Sequence, residues 1–119
     1  MRLEELEQIL KLHPFLPKPQ YVVVVEEPVL ALMDGLVALV RGATPTWRRD
    51  MIVVTPFAGH DTVVHEIIHT MGFGEVAATI GGAVLARLRE VFKPIIKYDV
   101  KYELASTPHP KVKIYRRVR

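Results

Sequence analysis

The chain has 119 residues and no cysteine; half of it is apolar, a quarter is charged with both signs mixed, and the formal net charge is +3. That length suits one domain with a modest core, the mixed charge excludes a disordered tail, and the missing cysteines exclude disulfides and thiolate metal sites. Asparagine is absent, only Gln8, Gln20 and Ser106 represent glutamine and serine, and prolines number nine, a depletion of thermolabile amides that suits a thermophilic source.

Acids within Met1–Leu6 argue against a secretory signal, and no apolar tract reaches the roughly 20 residues a bilayer span needs. The expectation is a cytoplasmic protein without a membrane span. Five of the last nine residues are basic (Lys111, Lys113, Arg116, Arg117, Arg119); such a run reads first as a solvated end and only second as a nucleic-acid contact.

Leu3, Leu6, Ile9, Leu10 and Leu12 recur at helical spacing, which predicts an amphipathic first helix ending near His13-Pro14. Tyr21–Val25 is short and β-branched, a buried strand. Glu26-Glu27-Pro28 has the composition of a helix start, predicting a second helix to Arg41-Gly42 with Asp34 facing solvent. A loop from Ala43 to Asp50 holds the only tryptophan, Trp47, expected as a packing anchor. Met51–Thr55 is a second strand, closed by Pro56. After a short loop containing His60, Asp61 is the expected N-cap of the next helix.

That helix carries His65-Glu66-Ile67-Ile68-His69. Two imidazoles four residues apart lie on one helical face, close enough to share a metal ion, and the glutamate beside the first can take a proton from metal-bound water. The surrounding Val63, Val64, Ile67, Ile68 and Met71 place the helix in the core, where unpaired polar groups are costly. Continuing through Thr70-Met71-Gly72-Phe73-Gly74 brings Glu75 six residues after His69. The expected constellation is a single zinc ion held by His65, His69 and Glu75, with Glu66 as the catalytic base. The competing reading of Glu75 is an acid at a helix start, favoured by the helix dipole.

Glu75 to Lys93 reads as a long helix, stopped by Pro94. Its small residues Ala77, Ala78, Gly81, Gly82 and Ala83 would let it press against the metal helix. The remainder alternates through Tyr98, Val100, Tyr102 and Leu104, turns at Thr107–Pro110 and continues through Val112, Ile114 and Val118, a terminal hairpin. The fold class is therefore α+β, an active-site helix and a glutamate helix packed on a small β-sheet and spanning 1–119 as one unit, a small domain that on its HExxH run resembles the zincins.

An HExxH helix followed by a glutamate helix resembles the gluzincin metallopeptidases, and at this length it is similar to the minigluzincins. The resemblance covers His65 to about Leu88. It implies a zinc metallopeptidase acting on a peptide or protein, with His65, His69 and Glu75 as ligands and Glu66 as general base and acid. Two departures stand out: Thr79 occupies the place where many relatives carry a second acid, and the step from His69 to Glu75 is short, resembling the metzincin run with its last histidine replaced. The resemblance also suggests that residues 106–119 could keep the enzyme latent, against the plainer reading of a hairpin completing the sheet. Two further classes compete: a YbeY-type endoribonuclease, whose third ligand is a histidine, and a non-catalytic zinc-binding interaction protein. Tyr98, Tyr102, His109 and Tyr115 are candidates for stabilising an oxyanion by their chemistry alone.

Overall fold

In a computed structural model that describes residues 1–33, 35–45, 47–87 and 99–119, the protein runs α1 (Leu3–Leu12), β1 (Tyr21–Val25), β2 (Leu30–Met33), β3 (Leu36–Leu39), β4 (Gly42–Ala43), β5 (Met51–Val54), α2 (His60–Thr70), α3 (Glu75–Arg87), β6 (Tyr102–His109) and β7 (Val112–Arg117). Five strands form a mixed sheet in the order β4-β5-β1-β7-β6, and β2-β3 stand apart as a hairpin. The class is α+β.

Layering follows from strand alternation. Val22 and Val24 of β1 are buried while their neighbours are half-buried, and the parallel register sets them beside the buried Ile52 and Val54 of β5. These four side chains share one face of the sheet and form one apolar cluster with Leu6, Ile9 and Leu10 of α1 and Val63, Val64 and Ile67 of α2. Burying each such side chain is worth roughly 1.5–3 kcal/mol, whereas an isolated helix as short as α2 is marginal in water. Its packing therefore holds α2 in place and fixes which of its faces is left for chemistry.

The span expected as a second helix is the β2-β3 hairpin, with Leu30 opposite Leu39 and Leu32 opposite Val37. A uniformly apolar run fits either element by periodicity; the deciding signal is the Asp-Gly pair in the sequence at its centre, the composition of a two-residue hairpin turn, and Gly35 has φ +79°. The expectation for Asp34 itself lies outside the described residues. Leu30, Leu32, Leu36, Val37 and Leu39 remain exposed on this hairpin. Trp47 is not a packing anchor: it is 85% exposed.

Helix α1 ends at His13 as expected. Helix α2 begins one residue before the expected cap, so Gly59 is the N-cap, His60 is helical rather than in the loop, and the Gly59 N–H donates to the Thr62 hydroxyl at 3.1 Å. Helix α3 is described to Arg87, and the expected continuation to Lys93 and the stop at Pro94 lie outside the described residues. The terminal hairpin is present, but β6 runs through the expected turn to His109 and reverses at Pro110-Lys111; Tyr98 lies outside the described residues. Strand β7 pairs with β1 on one side and β6 on the other, so residues 106–119 complete the sheet. No helix among the described residues is long and apolar enough to cross a membrane.

Candidate metal centre

The two motif histidines lie on the face of α2 turned away from the sheet. Val63, Val64 and Ile67 are fully buried against the core, which directs His65 and His69 to the opposite side, where side chains four apart stack along the helix. Their Nε2 atoms stand 3.1 Å apart. Two ring nitrogens at that separation need a proton or a metal cation between them, since two lone pairs repel and two N–H groups clash.

The tautomer of His69 is set from outside the pair. Its Nδ1 lies 3.0 Å from the backbone carbonyl oxygen of Phe73, and because a carbonyl only accepts, Nδ1 carries a hydrogen, which leaves Nε2, 2.7 Å from a Glu75 oxygen, as the ring atom for a cation to sit against. Metal-binding histidines commonly have such a partner on the second ring nitrogen. Here it comes from the turn between α2 and α3, which Gly72 enters at φ +91°.

Glu75, the first residue of α3, closes the group. One of its carboxylate oxygens is 2.7 Å from His69 Nε2 and the other is 3.4 Å from His65 Nε2. Close packing of α3 on α2 brings it there: Ala78 is fully buried, and a methyl on Gly82 would meet the Asp61 carbonyl at 2.8 Å and the His65 Cβ at 3.3 Å. Of the small-residue face read from the sequence, Ala78, Gly81 and Gly82 make this contact, whereas Ala77 and Ala83 are exposed.

Glu66 reaches the group from the side of the sheet edge, where β4 runs. It is 6% exposed, and Thr44, just after β4, places its hydroxyl 3.1 Å from Glu66 Oε2 and 3.1 Å from the Glu66 backbone carbonyl. Burial pushes its carboxyl above the ordinary range; the Thr44 hydrogen bond and the neighbouring imidazoles oppose that shift. The other carboxylate oxygen is 3.9 Å from His65 Nε2. Periodicity gives no hint of Thr44, a loop residue 22 positions away from the glutamate it contacts.

His65, Glu66 and His69 offer donor atoms that all lie within 4.8 Å of one another, so a His-Glu-His group able to hold a metal ion is present. Glu75 approaches both imidazoles more closely than Glu66 does. Around a zinc ion with bonds of about 2.0–2.1 Å, tetrahedral donors stand about 3.3 Å apart. The 3.1 and 3.4 Å separations already match, and the 2.7 Å contact has only to open slightly. All donors are nitrogen or oxygen, a set that suits zinc among the divalent first-row ions.

The group borders two openings. One is lined by Arg49, Glu66, His69, Gly72, Phe73 and Glu75, with β4 and Thr44 forming its wall. The second, on the far side of His65, is bounded by Leu39, Val40, Asp61 and Thr79.

Of the aromatic candidates for an oxyanion partner, Tyr98 lies outside the described residues and the other three are otherwise engaged. Tyr102 is buried and donates its hydroxyl to the Pro19 carbonyl, Tyr115 packs against the core from β7, and His109 sits at the hairpin tip accepting from the Lys111 N–H. His60 is paired with His13 rather than with the motif, Nε2 to Nε2 at 2.7 Å. Three of the five basic residues of the C-terminal run lie against carboxylates, Lys113 with Glu26, Arg116 with Glu103 and Arg119 with Asp99, while Arg117 donates to the Lys18 carbonyl. Compared with known protein families, curated proteins and solved structures, the protein has no match.

Proposed function

We propose that this protein is a zinc-dependent metallopeptidase in which His65, His69 and Glu75 hold the metal and Glu66 is the general base and acid. The observation that carries the reading is the division of labour between the two glutamates. Glu75 is exposed and lies against both imidazoles, where a ligand belongs. Glu66 is buried, held by Thr44 and further from His65, and its raised pKa suits a group that must both take and return a proton. Bound zinc would polarise the scissile carbonyl and acidify the attacking water. Glu66 would accept that water's proton through its free oxygen and deliver it to the leaving amine, while Thr44 keeps the carboxylate aimed at the cleft.

What favours a peptide over RNA is that three basic residues of the C-terminal hairpin region, Lys113, Arg116 and Arg119, each lie against a carboxylate rather than forming an open track for a phosphate backbone. The test is hydrolysis of unstructured casein against single-stranded RNA by zinc-loaded protein, each with and without a chelator. Chelator-sensitive casein cleavage that disappears in Glu66→Gln supports the reading; RNA cleavage surviving that substitution overturns it.

A further inference from the structure

Arg48 and Arg49 are adjacent in sequence and opposite in circumstance. Arg48 is spent: its guanidinium forks onto Asp50 at 2.7 and 3.2 Å and lies 4.5 Å over the Tyr21 ring. Arg49 lines the same opening as Glu66, His69 and Glu75, yet among the described residues it makes no ion pair and no hydrogen bond. Its Nη1 lies 2.9 Å from the point a methyl on Gly72 would occupy. The guanidinium therefore rests over the α2-α3 turn, in space that exists only because residue 72 has no side chain.

A permanently charged fork that pairs with neither carboxylate of its own cleft is available to an incoming anion. The charge balance agrees. With a divalent ion bound, Glu66 and Glu75 ionised and Arg49 charged, the cleft carries about one net positive charge, which attracts an anionic group and disfavours a basic one.

We propose that Arg49 is a specificity-determining residue, whose guanidinium takes a substrate carboxylate in a bidentate grip on the Gly72 side of the metal group. This rests on the metallopeptidase reading and narrows it to peptides bearing a carboxylate near the cleaved bond. The C-terminal carboxylate of a peptide and an Asp or Glu side group offer the same planar pair of oxygens, so either can fill the position.

The experiment uses three fluorescent peptides of equal length: one with a free C-terminus and no acids, one amidated with no acids, and one amidated with a single glutamate. Binding is read by anisotropy on the non-cleaving Glu66→Gln protein equilibrated with zinc, alone and with Arg49→Ala or Arg49→Lys. At least one carboxylate peptide is expected to bind on the order of tenfold to a hundredfold more tightly than the amidated neutral one. Which one identifies the source. Arg49→Ala abolishes the difference and Arg49→Lys retains part of it, with unchanged zinc content in both. Discrimination that persists in Arg49→Ala, or is never present, overturns the proposal. So does an Arg49→Ala enzyme, with Glu66 intact, whose kcat falls equally for all three peptides at constant KM, since that assigns Arg49 to the reacting atoms. Binding is measured without turnover, so failure of the peptidase reading appears separately, as absent cleavage by the unsubstituted protein.

Discussion

The Nδ1 atom of His69 lies 3.0 Å from the carbonyl oxygen of Phe73, so the turn leaving α2 also holds a hydrogen on the Nδ1 of the histidine within it. Gly72 makes that turn at φ +91°, a conformation that costs a residue with a Cβ about 1–3 kcal/mol. Gly72→Ala should lose about that much stability in urea melts and bind zinc more weakly, because relaxing the turn moves the Phe73 carbonyl. Unchanged stability and affinity would leave the turn without this role.

Helix α3 positions Glu75 only as far as it can approach α2. A methyl on Gly82 meets the Asp61 carbonyl, which is backbone and cannot rotate away; one on Gly81 meets the Cδ1 of Ile68, the free end of a side chain. Gly82→Ala should therefore lose about 1–3 kcal/mol and lower zinc affinity. Gly81→Ala should leave zinc affinity close to normal. Equal zinc affinities in the two variants would break the link between helix separation and the metal group.

Glu66 is buried and its carboxyl is raised above the ordinary range. The folded state therefore holds its proton more tightly than the unfolded one. The stability this contributes is fully present below the ordinary carboxylate range and is lost as pH rises through the folded pKa. Glu66→Gln stays neutral throughout, so the metal-free variant should melt higher than the unsubstituted protein near neutral pH, with the gap closing on acidification. Thermal melts from about pH 4.5 to about pH 7.5, spanning the carboxylate range and neutrality, read this directly, and a gap that widens towards low pH contradicts it.

His13 behaves with the opposite sign. It is 1% exposed, its Nδ1 has no hydrogen-bond partner among the described residues, and burial lowers its pKa. The neutral ring is favoured in the fold, so its stabilising contribution is present above the unfolded histidine value and is lost as pH falls through the lowered folded one. Urea melts of metal-free His13→Leu should show a smaller loss of stability below about pH 6.5 than the unsubstituted protein. Parallel pH profiles would assign the acid sensitivity to other groups.

What the sequence disclosed depended on range. His65 and His69 share a helical face by spacing alone, and the apolar residues around them already placed α2 in the core. Glu75 was reachable from Gly72 and Gly74 because the turn is short. Residues 29–40 misled because the run is apolar at almost every position, so periodicity is silent and only Asp34-Gly35 spoke for a hairpin. Thr44, Arg49 and the pairing of His13 with His60 were out of reach, since they join segments far apart in sequence through packing that no local pattern encodes.

The account stands or falls on which glutamate holds the metal, and zinc titration of the metal-free protein by calorimetry decides it. About one zinc per protein molecule is predicted, with Glu66→Gln binding as the unsubstituted protein does and Glu75→Ala binding at least roughly tenfold more weakly. Unaltered zinc affinity in Glu75→Ala, or zinc retained by the His65→Ala, His69→Ala double variant, would contradict it.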